Sequence, residues 1–83
     1  MNWIETPDSL KLELATPDFL GAFRLAQAVV EPAERLNHHP DIAFGWGYIR
    51  FTLTTHDAGG LTDKDRALAR LITETLASLG VPA

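Results

Sequence analysis

The sequence has no cysteine among its 83 residues, which excludes disulfide staples, thiolate metal ligands and a cysteine nucleophile. It has no uninterrupted apolar run near the ~18 residues that a membrane span needs, and its amino end lacks the basic-then-apolar pattern of a signal peptide. A soluble, unexported, cytoplasmic protein is the expectation. Basic residues are few, with seven Lys and Arg against eleven Asp and Glu and a formal net charge of −4. That is a poor electrostatic footprint for phosphate backbones, so direct nucleic-acid binding is not expected. Linker-like and low-complexity stretches are also missing, and a chain this short can bury only one core, so residues 1–83 are expected to form a single domain. With no covalent staple, that core has to rely on packing or on association with other subunits.

What is present is strong periodicity. Residues 2–5 precede Thr6-Pro7-Asp8-Ser9, a turn signature in which proline presets one dihedral and Asp8 or Ser9 can bond the local backbone. Leu10, Leu12 and Leu14 then alternate with Lys11, Glu13 and Ala15, the period of a strand with one face on a core. Thr16-Pro17-Asp18 reads as a helix start, with a hydroxyl cap and proline at the first helical position. The helix is expected to run to about Asn37, with Phe19, Leu20, Phe23, Ala26 and Val30 on one face and Leu25, Val29 and Leu36 on the other. Pro32 removes a backbone donor inside this pattern, which predicts a kink or break near Val29 or Val30.

Beyond Pro40, Ile42, Phe44, Trp46 and Tyr48 alternate with small residues, a strand whose glycines suggest a bulge or close approach. Ile49, Phe51 and Leu53 follow at the same period, and continued parity puts His56 on the polar face beside Thr54. Asp57-Ala58-Gly59-Gly60 breaks the strand, and Thr62 with Asp65 resembles a capping box for a last helix carrying Leu68, Leu71, Ile72, Leu76 and Leu79. The order β-β-α-β-β-α predicts an α+β fold, a four-stranded antiparallel sheet with two helices packed on one face. The second apolar stripe on the first helix, Leu25, Val29 and Leu36, predicts a homo-oligomer that covers it.

All three histidines fall between positions 38 and 56, two of them adjacent. Imidazole exchanges protons without extreme tuning, so His38, His39 and His56 around one cleft suit general acid and base work. Zinc held by the three imidazoles and Glu34 is the alternative. It is disfavoured because adjacent histidines in an extended segment point to opposite sides. No metal is therefore expected. Ser9 belongs to no nucleophile motif, and Gly59-Gly60 lacks the lysine of a phosphate loop.

The run Glu34-Arg35-Leu36-Asn37-His38-His39-Pro40, then Trp46, then the segment from Thr54 through His56-Asp57-Ala58-Gly59-Gly60-Leu61-Thr62 to Asp65 closely resembles pterin-4a-carbinolamine dehydratase. The resemblance extends from about Trp3 to Leu79. It implies dehydration of a 4a-hydroxytetrahydropterin to quinonoid dihydropterin, in recycling of a tetrahydropterin, with no cofactor. It also implies a dimer or tetramer and a link to an aromatic amino acid hydroxylase. It places His38, His39 and His56 in the pterin site as catalytic groups, with Glu34, Trp46 and Asp65 around the substrate. His38 and His56 are expected to divide the proton exchange and His39 to position the ring. Glu34 would orient an imidazole or bind a pterin nitrogen, and Trp46 would offer an aromatic wall. Asp65 has a second reading as a helix cap, and Glu34 and Trp46 have bland readings as a solvated helix residue and a packing residue. Family members usually carry a helix before the first strand, and this chain reaches Trp3 almost at once, so that helix is expected to be lacking. The competing function is a non-catalytic scaffold or assembly factor on the same fold.

Overall fold

The computed structural model describes residues 1–82. Strands β1 (Ile4–Glu5) and β2 (Leu10–Ala15) lead into helix α1 (Phe19–Leu36). Strands β3 (Asp41–Gly45) and β4 (Tyr48–Leu53), a 3-10 turn (His56–Ala58) and helix α2 (Asp63–Ser78) complete the fold. The strands form one antiparallel sheet in the order β1-β2-β4-β3. This is the α+β arrangement that the periodicity predicts. On the central strands Leu10, Leu12, Ile49, Phe51 and Leu53 are buried, whereas Lys11, Glu13 and Arg50 are exposed. The buried set meets Val29 of α1 and Leu68, Ile72 and Leu76 of α2 in one core. Trp3 ties the amino end to α2 by donating its indole N–H to Thr73 Oγ1 at 2.8 Å. Among the described residues no helix is long and apolar enough to cross a membrane.

Several local expectations are corrected. In the first turn the Thr6 hydroxyl, not Asp8 or Ser9, accepts the backbone N–H groups, from Asp8 at 3.3 Å and Ser9 at 3.1 Å. The cap of α1 is Asp18, whose carboxylate accepts the Gly21 N–H at 2.7 Å, so Thr16 and Pro17 lie ahead of the helix. A carboxylate is the stronger cap here because its charge also meets the positive end of the helix. Pro32 does not break α1, which is continuous from Phe19 to Leu36. The proline deprives the Ala28 carbonyl of its donor, but it is buried with Val29 and Ala33, and that packing offsets a cost of about 3 kcal/mol.

The two faces of α1 are exchanged relative to expectation. Ala22, Val29 and Ala33 form the core line, and Leu25 packs beside them. Phe19, Leu20, Phe23 and Val30 are left exposed, with Leu36 at the helix end. Period alone identifies two apolar arcs but not which one faces inward. The small residues decide, because Ala22 and Ala33 let the helix approach the sheet closely. Phe19 and Phe23 instead lean over the sheet edge onto Phe44, with ring centroids 5.3 Å and 6.3 Å apart.

Trp46 does not belong to a strand. It forms with Gly47 the two-residue turn of the β3–β4 hairpin, and Gly47 supplies a positive φ of 90° at the second central position, which favours glycine. Gly45 beside it is a close approach, since a Cβ there would lie 2.6 Å from Tyr48 Cε1.

Candidate functional site

The hairpin register assembles the site. Asp41 pairs with Thr52, so the segment leaving α1, residues 38–40, runs beside the chain leaving β4. Asn37 turns that segment out of the helix in the left-handed conformation, φ 50°, and the His38 N–H closes on the Ala33 carbonyl at 3.1 Å. Strand β4 ends at Leu53, so His56 reaches the same place by opening the 3-10 turn, not by continuing strand parity. An isolated bridge between Thr55 and Gly60 closes this loop and delivers the start of α2 to the same corner. The result is a cleft of about 310 Å³ bordered by His38, His39, Thr55, His56, Asp57 and Lys64. A larger cleft of about 460 Å³ lies at the opposite ends of the two helices, lined by Arg24, Leu25 and Val81 among others. It holds no acid–base pair, so the smaller one is the chemical candidate.

Asp65 is the anchor of the site. It is 0% exposed, and its Oδ1 lies 2.6 Å from His38 Nε2. Its Oδ2 accepts the Thr55 hydroxyl at 2.7 Å and the Thr62 N–H at 3.0 Å. The Thr62 hydroxyl in turn accepts the Lys64 N–H, completing a capping box at the head of α2. Burial pushes the Asp65 carboxyl up, but the hydrogen bonds from His38, Thr55 and Thr62 and the His38 charge outweigh it, and the net shift is downward. An ionised Asp65 can only accept hydrogen bonds, so the His38 Nε2 that faces it carries a proton.

His38, His39 and His56 border one cleft. The two adjacent imidazoles engage different carboxylates, His38 with Asp65 and His39 with Glu34. Glu34 is thus set to orient His39. Asp65 is fully buried, stands behind His38 and caps α2 at once. Trp46 is 76% exposed at the hairpin tip, six residues and roughly 20 Å of extended chain from Pro40, so one subunit does not bring it to the histidines. Among the described residues no group of three or more His, Asp or Glu side chains converges as a metal site.

Sequence reading missed Thr55 and Lys64. Thr55 looks like one of several strand threonines, and only the fold buries it. Lys64 leaves a faint signal, because a cation in the first turn of a helix opposes the dipole and so calls for another reason to be there.

Comparison with known proteins decides the family. The family model for Pterin 4 alpha carbinolamine dehydratase matches residues 1–75. The chain belongs to this family. A protein of Thermosynechococcus vestitus provisionally named a pterin-4-alpha-carbinolamine dehydratase is 41% identical over 70 residues, covering 84% of this chain and 74% of its own. One of Nocardia farcinica, named in the same way, is 44% identical over 73 residues, covering 88% and 77%. The crystal structure of a transcriptional coactivator/pterin dehydratase from Brucella melitensis matches with a TM-score of 0.76 and 26% identity, over 89% of this chain and 79% of that one. A pterin dehydratase-like protein described as a RuBisCO assembly factor shares the dehydratase fold, with a TM-score of 0.67 and 21% identity over 89% and 86% of the two chains.

Proposed function

We propose that this protein catalyses the dehydration of a 4a-hydroxytetrahydropterin to quinonoid dihydropterin and water, in recycling of a tetrahydropterin used by an aromatic amino acid hydroxylase. The observation that carries the reading is His38, backed by the buried Asp65 carboxylate, on one cleft with His39 and His56. In the reaction the C4a–oxygen bond breaks, the departing oxygen takes up a proton, and the neighbouring ring nitrogen loses one. His38 receives the ring proton at Nδ1, its Nε2–H held on Asp65, and His56 protonates the leaving oxygen. His39, steadied by Glu34, positions the ring. The cleft volume falls at the lower end of the range for small-molecule sites.

The direct test is an ultraviolet assay that follows carbinolamine decay with purified protein. Acceleration over the buffer rate supports the enzyme, and an unaltered decay rate rejects it in favour of a non-catalytic scaffold. The uncovered stripe Phe19, Leu20, Phe23 and Val30 gives that second reading its support, since exposed apolar patches mark association surfaces.

A second copy of the chain is proposed to pair along the β3 edge, beside the stripe where Phe19 and Phe23 meet Phe44. The closing pair of the hairpin, Gly45 with Tyr48, directs the outward-facing backbone groups of β3 to Ile42 and Phe44. Antiparallel pairing of two β3 edges about a two-fold axis at Ala43 satisfies all of them. The same register sets the partner subunit's Trp46 opposite Pro40, next to His39, and gives the exposed tryptophan a place in the site. Light scattering should therefore show a dimer or tetramer at micromolar concentration, and Val30→Glu should shift it toward monomer. A folded wild-type monomer at that concentration would reject the assembly.

A further inference from the structure

The Asp65–His38 pair has a third member that the proposed chemistry has not used. Thr55 is buried, and its side chain makes two short contacts, to Asp65 Oδ2 and to Thr62 Oγ1, both at 2.7 Å. A hydroxyl has one hydrogen, and an ionised carboxylate offers none. The direction of the chain is therefore forced: Thr62 O–H donates to Thr55 Oγ1, and Thr55 O–H donates to Asp65. The backbone of Thr55 has a separate task, bridging Gly60. The hydroxyl is thus free of the turn's architecture and links the Thr62 hydroxyl to the carboxylate.

We infer that Thr55 is a positioning residue that acts through Asp65, fixing the carboxylate so that it holds His38 in the Nε2–H tautomer and leaves Nδ1 as the base. The catalytic use of that tautomer rests on the dehydratase reading; the tautomer itself does not. Two donors on Oδ2 direct Oδ1 at the imidazole and favour the charged carboxylate, the form that can only accept from Nε2–H. Removal of the Thr55 hydroxyl leaves the Thr62 N–H as the single donor on Oδ2 and the Thr62 hydroxyl without its acceptor. Other charged and titratable groups bordering the site are Asp63 and Lys64 on α2, His56 and Asp57 on the 3-10 turn, and His39 after α1. None of them makes a hydrogen bond to Asp65.

The test compares wild type with Thr55→Val, which keeps the branched shape, and Thr55→Ser, which restores the hydroxyl. Nitrogen-15 NMR of the imidazoles should show His38 as the Nε2–H tautomer in wild type and Thr55→Ser, and as a mixture in Thr55→Val. The Asp65 carboxyl should titrate at higher pH in Thr55→Val than in wild type. Turnover of the carbinolamine should fall on the order of tenfold with KM unchanged, as loss of one hydrogen bond to a charged group allows, and serine should rescue it. If Thr55→Val does not fold, Thr55→Cys carries the same comparison with a weaker donor, and a partial change in tautomer is expected. An unchanged His38 tautomer and Asp65 titration in the folded variant would overturn the inference and leave Thr55 a packing residue. If wild type shows no turnover, the dehydratase reading fails, and the spectra still decide the role of Thr55.

Discussion

Alanine at His38 or at His56 is expected to lower the turnover of the carbinolamine by on the order of 100-fold in each case, the ordinary size of one general acid or base contribution. The two residues sit on different elements, His38 after α1 and His56 in the 3-10 turn, yet border one cleft. Each handles a different proton, so the double variant should fall well below either single one, toward the uncatalysed rate. His38→Ala carries a further cost, because it leaves the Asp65 carboxylate buried without its imidazole. Its stability should drop by about 1–3 kcal/mol, whereas His56→Ala, at an exposed position, should unfold almost as wild type does. His39→Ala should raise KM more than it lowers kcat, since a residue that positions the ring contributes equally to ground and transition states. A chelator should leave the rate unchanged. Full activity in the His38, His56 double variant would remove the mechanism, and loss on chelation restored by zinc would install the metal alternative in its place.

How far the sequence reveals this architecture depends on what each feature requires. Strands β2 and β4 are legible because Leu10, Leu12 and Leu14, like Ile49, Phe51 and Leu53, alternate without interruption. The start of α2 is legible because Thr62 and Asp65 have the spacing of a reciprocal cap, which the structure closes. The β3–β4 turn was hidden: Trp46 keeps strand parity with Phe44, and only the pairing of Gly45 with Tyr48 reveals that the chain reverses there. The orientation of α1 was hidden for a different reason. Large apolar residues mark both of its arcs, and the decision falls to Ala22 and Ala33, which carry little weight in any hydrophobic pattern.

The site shows the same division. Histidine spacing announces a cluster, because the residues that do chemistry are rare and their distances along the chain are fixed by the hairpin between them. The groups that tune them are not announced. Thr55 is one threonine among several, and its burial depends on the loop that the Thr55–Gly60 bridge closes. Asp65 reads equally well as a cap or as a site residue, and the structure shows why the choice is a false one. One carboxylate oxygen takes the helix-capping N–H and the other takes the imidazole, so fold and chemistry share a single side chain.

That sharing makes Asp65→Asn the most informative replacement after the histidines. The asparagine amide satisfies the pocket best with its oxygen toward the Thr55 hydroxyl and the Thr62 N–H, where two donors wait. Its NH₂ then faces His38 Nε2 and donates to it, which moves the imidazole proton to Nδ1 and removes the base. The rate should fall on the order of 100-fold, while stability at neutral pH falls by only about 1–2 kcal/mol, because the cap is retained and one charge is lost. Acid distinguishes the two proteins further. Asp65 has a folded-state pKa below the ordinary value of 3.8, so its contribution is fully present above that value and is lost as pH falls through the lowered one. Wild type and Asp65→Asn should therefore differ most in urea unfolding at neutral pH and converge as pH falls through the lowered value and the carboxylate takes up its proton. An unchanged rate in Asp65→Asn with a lower melting temperature would make Asp65 a helix cap only. A reduced rate with the imidazole proton found on Nδ1 would establish the tautomer as the means by which the buried carboxylate acts.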